Sequence, residues 1–218
     1  MLTKKNYRIF GRTKSRTSKK LNLQKYFFLQ KKYQIKKMNK IDNYILDIGS
    51  GYGETSIYFA LKNKKCKIIS CDKYINGNFN LLKYIESFKL QNLFLFTGNV
   101  IEFLDSHEKL NHFSKVAIFF PDPWPKKKHS KRRLINEIFL NNLYFYLKDN
   151  AEIYIATDSQ AYTTQILSCI YKLKKKYIWI NSNKMYLDVK DFFDFETKFY
   201  QKAINLGHIP SLFILKKI

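Results

Sequence analysis

The amino-acid sequence predicts an α/β fold: a mostly parallel, seven-stranded sheet with helices on both faces, preceded by a basic arm. Three observations carry this expectation. Seven short β-rich runs alternate with segments of helical length, the rhythm of strands joined by crossover helices. A glycine-rich turn joins the first run to the first helical segment, at the strand end where open sheets bind ligands. The length of 218 residues suits one large domain with an extension better than two full domains.

Residues 1–40 show neither steady alternation nor a long helical stripe, and Lys recurs throughout. They read as a basic N-terminal arm, extended or partly helical and mobile without its ligand. Order is expected to begin near Asn43, with one domain over 41–218. Strands are expected at Tyr44–Ile48, Lys67–Cys71, Leu93–Thr97, Lys115–Phe120, Glu152–Ala156, Tyr177–Ile180 and Leu212–Leu215. Helices are expected at Glu54–Leu61, Asn76–Lys89, Leu134–Leu147 and Ser159–Leu173. In the last, Tyr162, Ile166, Ile170 and Leu173 recur at helical spacing, so one face can pack on the sheet.

Lys and Arg number 40 against 17 Asp and Glu, a formal net charge of +23. Such an imbalance attracts polyanions, a nucleic acid above all. An AT-rich genome would enrich Lys without function, but residues 1–41 hold 14 Lys and Arg and no acid, a placement that drift does not explain. The three cysteines form no metal-ligand spacing, and their odd number argues against a disulfide framework. Neither a metal nor an obligate protein partner is expected, and the high charge suggests a monomer. Tyr26–Leu29 is too short for a signal-peptide core, and no apolar window approaches a membrane span. A cytoplasmic location is the expectation. An organellar transit peptide fits less well, because Lys outnumbers Arg and no amphipathic stripe is clear.

The first strand runs into Asp47-Ile48-Gly49-Ser50-Gly51-Tyr52-Gly53. Glycines there allow close approach of a ligand and unusual torsions. A dinucleotide fingerprint needs its third glycine one place later, where Glu54 stands. The spacing of Gly49, Gly51 and Gly53 instead matches the G-x-G-x-G loop of class I methyltransferases. Asp72, closing the second strand, is placed to accept from a ribose diol. Asp47, before the glycines, suits an amino-acid tail bearing an ammonium, which S-adenosylmethionine has and NAD lacks. Asn99, after the third strand, suits the adenine amino group. The bland alternative is that strand-end acids and amides only cap helices.

After the fourth strand comes Phe119-Phe120-Pro121-Asp122-Pro123-Trp124-Pro125, then Lys126 to Arg133. Three prolines stiffen the loop and hold Asp122 and Trp124 at the sheet's carboxyl edge. The next stretch places six cations in eight positions, a density suited to gripping phosphates, though many such runs are only solvated surface.

This loop resembles the hallmark of the bacterial tRNA (guanine-N7)-methyltransferase family, a P-D-P-W turn followed by a Lys/Arg-rich stretch. Phe10-Gly11-Arg12-x-Lys14, Ala156-Thr157-Asp158, Thr197-Lys198-Phe199 and Gly207-His208 are similar to further family elements, so the resemblance spans nearly the whole chain. It implies a class I, Rossmann-like methyltransferase that uses S-adenosylmethionine to methylate N7 of guanine 46 in the variable loop of tRNA. Asp47, Gly49, Gly51, Gly53, Asp72, Asn99 and Asp122 then match cofactor-contacting positions, with Asp122 also at the reaction centre. Lys126, Asp158, Thr197, Lys198, Phe199 and Tyr200 match substrate-binding positions. Lys128, His129, Ser130, Lys131, Arg132 and Arg133 match the RNA-contacting stretch, joined by Arg12 and Lys14 in the arm. Three positions depart from the family pattern: Asp47 for Glu, Asn99 for Asp and Tyr200 for Glu. The first two keep an acceptor; the third loses a carboxylate. Competing readings are a methyltransferase for another base, against which the missing second proline after Asp122 argues, and a non-catalytic RNA-binding module that kept the fold.

Overall fold

A computed structural model describes residues 22–183 and 193–218. Arg12 and Lys14 lie outside the described residues. The chain is ordered upstream of Asn43, because helix α1 (Leu23–Tyr33), capped by Asn22, buries Tyr26 and Leu29. The segment behind it joins the sheet: Gln34 bridges Leu95, and Gln30 Nε2 donates to Thr97 Oγ1 at 2.6 Å. Part of the expected arm is therefore docked, held by the two side chains that α1 buries, while Phe27 and Phe28 on the same helix are exposed.

The domain then alternates β1 (Tyr44–Ile48), α2 (Glu54–Lys62), β2 (Lys67–Cys71), α3 (Ile75–Ser87), β3 (Leu93–Phe96), α4 (Val100–Asp105), β4 (Phe113–Phe119), α5 (Glu137–Tyr144), β5 (Leu147–Thr157), α6 (Gln160–Lys172), β6 (Tyr177–Trp179), α7 (Lys198–Asn205) and β7 (Ser211–Lys217). Helix α5 is shorter than expected because Asn136 caps it, accepting from Phe139 N at 2.9 Å, and because Leu147 already belongs to β5. The sheet order is β3-β2-β1-β4-β5-β7-β6. Strands β1 to β5 pair in parallel, and β7 runs antiparallel to β5 and β6, so the seven-stranded, mostly parallel sheet is as the sequence predicts.

Parallel strands covered on both faces must be apolar on both, which is why β1 alternates without polar breaks until Asp47. Ile45 joins one buried cluster with Ile68, Leu81, Leu95 and Ile214. Leu46 joins the other with Ile69, Phe103, Val116 and Ile153. Each such side chain contributes about 2 kcal/mol on burial. The strand order reverses between β1 and β4, opening a crevice at their carboxyl ends. Both sequence-predicted loops, the glycine turn and the proline-rich loop, leave those two strands.

Candidate active site

The glycine turn is built by backbone torsions that side chains resist: φ is +73°, +57° and +90° at Gly49, Gly51 and Gly53. A Cβ on Gly53 would also sit 2.5 Å from Leu81 Cδ1. The sequence reading missed Gly77, in the first turn of α3, where a Cβ would lie 1.9 Å from the Gly51 carbonyl oxygen. Helix α3 thus rests directly on the cofactor-type loop. Gly77→Ala is expected to destabilise the protein by about 2 kcal/mol through overpacking against backbone, read as a lower melting temperature.

Asp72 ties the turn to β2: its Oδ2 accepts from Gly51 N and its Oδ1 from Tyr74 N, both at 2.8 Å. Burial raises its pKa against those two bonds. Asp47 is 1% exposed, and Ser56 Oγ donates to its Oδ2 at 2.6 Å. Burial pushes Asp47 up to about 7, opposed by Ser56 and reinforced by the Asp72 and Glu54 charges. Its carboxyl is a buried acceptor whose second oxygen is not engaged by Ser56. Because the folded value exceeds the unfolded one, stability from this group is complete below the unfolded carboxylate range and is lost as pH rises through about 7. Asp47→Asn is expected to remove that loss and raise the melting temperature at pH 8 more than at pH 5.

Asn99 caps α4: its Oδ1 accepts from Ile101 N at 2.9 Å, and its own N–H donates to Glu102 Oε2 at 3.3 Å. One acceptor lone pair is thus already engaged, as the capping alternative anticipated. Lys73 was not singled out by sequence. Its buried Nζ has no hydrogen-bond partner among the described residues; burial lowers its pKa, while Asp122, Asp72 and Glu102 attract the charged form.

Beyond β4 the chain kinks at Phe120, whose φ is +51° and whose N–H donates to the Ala156 carbonyl at 2.8 Å. Asp122 is exposed at the rim of the crevice. Trp124 packs within its own loop, with the Arg132 guanidinium 5.0 Å above its ring and His129 edge-on at 5.8 Å. Arg133 clasps this loop from beneath. It donates to Pro123 O at 2.7 Å, Trp124 O at 3.2 Å, and both Ala161 O and Gln165 Oε1 at 3.0 Å. At 6% exposed it is buried and fully engaged by the loop and α6, whereas the resemblance implied an RNA contact for it.

Lys128, His129, Ser130, Lys131 and Arg132 instead lie on a 3₁₀ turn (Lys127–Arg132) with no buried residue; Lys128 and Lys131 are exposed, His129, Ser130 and Arg132 half-buried, and the exposed Lys126 precedes it. Burial, then the Arg132 and Lys126 charges, lowers the His129 pKa. At the end of β5, Asp158 Oδ2 meets His208 Nδ1 at 3.0 Å.

Helix α7 closes over the glycine turn. Thr197 is its cap, accepting from Tyr200 N at 3.0 Å. Lys198 Nζ stands 3.8 Å from the Tyr52 ring centroid. Phe199 Cε2 lies 3.6 Å from where a Cβ on Gly51 would be. Tyr200 points the other way: it is 2% exposed and edge-on to Phe120. The residue for which the resemblance implied a substrate contact is thus largely buried, an aromatic ring where the family pattern has Glu. Among the described residues there is no cluster of His, Cys, Asp or Glu that could hold a metal and no helix long and apolar enough to cross a membrane.

Residues 42–210 match a family model described as "Putative methyltransferase". A tRNA (guanine-N(7)-)-methyltransferase of Wolbachia pipientis is 34% identical over 84% of this chain and 79% of its own length. One from Albidiferax ferrireducens is 35% identical, over 75% of this chain and 68% of its own. An rRNA methylase structure from Streptococcus thermophilus superposes with a TM-score of 0.56 at 11% identity, covering 89% of this chain and 95% of that one, a likeness of class I methyltransferase fold. With the glycine turn, the strand-end acids and the clasped proline loop gathered at one crevice, the chain belongs to the tRNA (guanine-N7)-methyltransferase family.

Proposed function

We propose that the protein transfers a methyl group from S-adenosylmethionine to N7 of guanine in tRNA, at position 46 of the variable loop. The observation that carries this reading is the placement of Asp122 on the proline-stiffened loop after β4, beside the β1 glycine turn with the buried Asp47 and the half-buried Asp72. The residues fit the cofactor: Asp47 offers a buried carboxyl to an ammonium, Asp72 an acceptor to a ribose, and Gly49 an open face where a Cβ would meet nothing within 4 Å. When bound, the sulfonium supplies an electrophilic methyl. Guanine N7 carries a free lone pair at the major-groove edge, so no proton has to leave before attack.

The protein's tasks are then alignment and stabilisation of positive charge on the base. Asp122 and Asp158 accept from the guanine N1 and N2 hydrogens, His208 holding the Asp158 carboxylate in place. Lys198 and Phe199 border the substrate side of the glycine turn. Lys126, Lys128, His129, Ser130, Lys131 and Arg132 grip phosphates, with Arg12 and Lys14 adding to the same basic field. A cytoplasmic enzyme acting as a monomer is consistent with this chemistry.

An ammonium bound at Asp47 requires its ionised form. Affinity for S-adenosylmethionine is therefore expected to fall by up to about tenfold per unit as pH drops below about 7, and Asp47→Asn to lose most affinity and this dependence together. Calorimetric titration between pH 5.5 and 8 checks it. The reaction itself is tested by incubating the protein with unmodified tRNA and labelled cofactor, then cleaving with borohydride and aniline at N7-methylguanosine. A cut at position 46 is the expected result. A cut elsewhere revises the position, and label without any cut discards the N7 reading.

A further inference from the structure

A groove of about 500 Å³ lies apart from the crevice, lined by Phe27, Gln30, Lys31, Gln34, Ile35 and Lys36. Its volume matches a nucleotide-sized ligand. Its floor is preformed: the Gln30–Thr97 hydrogen bond, the Gln34–Leu95 bridge and the Ile35 N–Leu95 O bond at 2.9 Å pin it to β3.

The lining has the chemistry of single-stranded nucleic-acid recognition. Phe27 is 58% exposed on a helix whose neighbours Tyr26 and Leu29 are buried, so an aromatic face stands in solvent where burial was available one residue away. Helix α1 contains no acid. Lys32 pairs with Glu86, whereas Lys31 and Lys36 make no ion pair among the described residues and face no carboxylate in the groove. The Gln34 amide adds both a donor and an acceptor.

The position is also suited to a substrate already engaged at Asp122. Thr97 follows β3, at the same sheet edge as the glycine turn, and β3 lies three strands from β4, about 14 Å at ordinary strand spacing. We propose that this groove binds a second, unpaired nucleotide of the tRNA, stacking its base on Phe27 while Lys31 and Lys36 take the flanking phosphates. The proposal rests on tRNA being the substrate. It adds a contact remote from the methylated guanine, one that selects tRNA by shape.

The test measures tRNA affinity, its salt dependence and methylation for wild type, Phe27→Ala and Lys31→Ala/Lys36→Ala, with Lys64→Ala/Lys65→Ala, at the opposite sheet edge, as charge control. Phe27→Ala is expected to weaken tRNA binding about tenfold. The groove double variant should lower the slope of log K against log salt by between about one and two, more than the control. Cofactor affinity, melting temperature and the rate at saturating tRNA should stay unchanged. Wild-type affinity and slope in both groove variants, with wild-type protein still methylating tRNA, overturn the groove alone. A wild-type protein that neither binds nor methylates tRNA overturns the substrate reading, and the groove proposal with it. A lower melting temperature in Phe27→Ala without loss of tRNA affinity makes Phe27 a packing residue, through its edge contact with Tyr26, and also overturns it.

Discussion

Asp122→Ala is expected to slow methyl transfer to tRNA by a factor of about 10² or more, the size of effect seen when one preorganised electrostatic group is removed from a reaction centre. The melting temperature should hardly move, because Asp122 is exposed and lies outside both core clusters. Single-turnover rates at saturating cofactor separate this effect from any loss of cofactor binding. Asp122→Asn refines it. The amide can accept one hydrogen bond but brings no negative charge to a base turning cationic, so its rate should fall between those of wild type and Asp122→Ala. Since N7 needs no deprotonation, the saturated rate should stay flat down to about pH 5, even as cofactor affinity falls through the Asp47 ionisation. A rate that drops steeply with pH at saturating cofactor would instead make Asp122 a general base.

Arg133→Ala is expected to destabilise the protein by about 3 kcal/mol, lowering the melting temperature by roughly 6–12 °C. Four acceptors lose their donor at once: two carbonyls of the proline loop, the Ala161 carbonyl and the Gln165 amide. Arg133→Lys should recover little, since one ammonium cannot span a fork-shaped set of acceptors on two elements. Methylation should fall in parallel, because the clasped carbonyls flank Asp122 and Trp124. The same substitution at Lys131, which is exposed, should leave stability unchanged and weaken tRNA binding instead. Denaturation without RNA distinguishes the two; equal stability of Arg133→Ala and wild type would return Arg133 to the RNA-facing set.

The legible parts of the fold share a physical cause. Strands β1 and β2 match the sequence expectation at both ends, since a strand buried on two faces is mostly apolar, and here Gly49 and Asp72 mark where the strands stop. Strand β5 begins at Leu147, earlier than expected, because Asp149 and Asn150 are exposed and carry no apolar signal. Helix α4 is six residues long, too short for periodicity to register. Helix α7 went unseen because only Tyr200 and Ala203 are buried along it. Helix α1 hid in a lysine-rich run for the same reason.

Within the site, residue type and order along the chain determined the glycine turn, the strand-end acids, the proline-stiffened loop and the family resemblance. Each depends on local chemistry: positive φ favours glycine, proline fixes φ, and charge sits where the sequence puts it. Only the tertiary structure decided which members of a run face inward. Arg133 ends a string of cations yet is buried under the loop, and Tyr200 ends a substrate-type motif yet faces the core. Gly77 matters through contact with Gly51, and Lys73 through the acids around it, relations between elements that no spacing encodes. A side chain's direction is set by how helices and loops pack on the sheet, so the chemistry was legible in one dimension and its orientation was not.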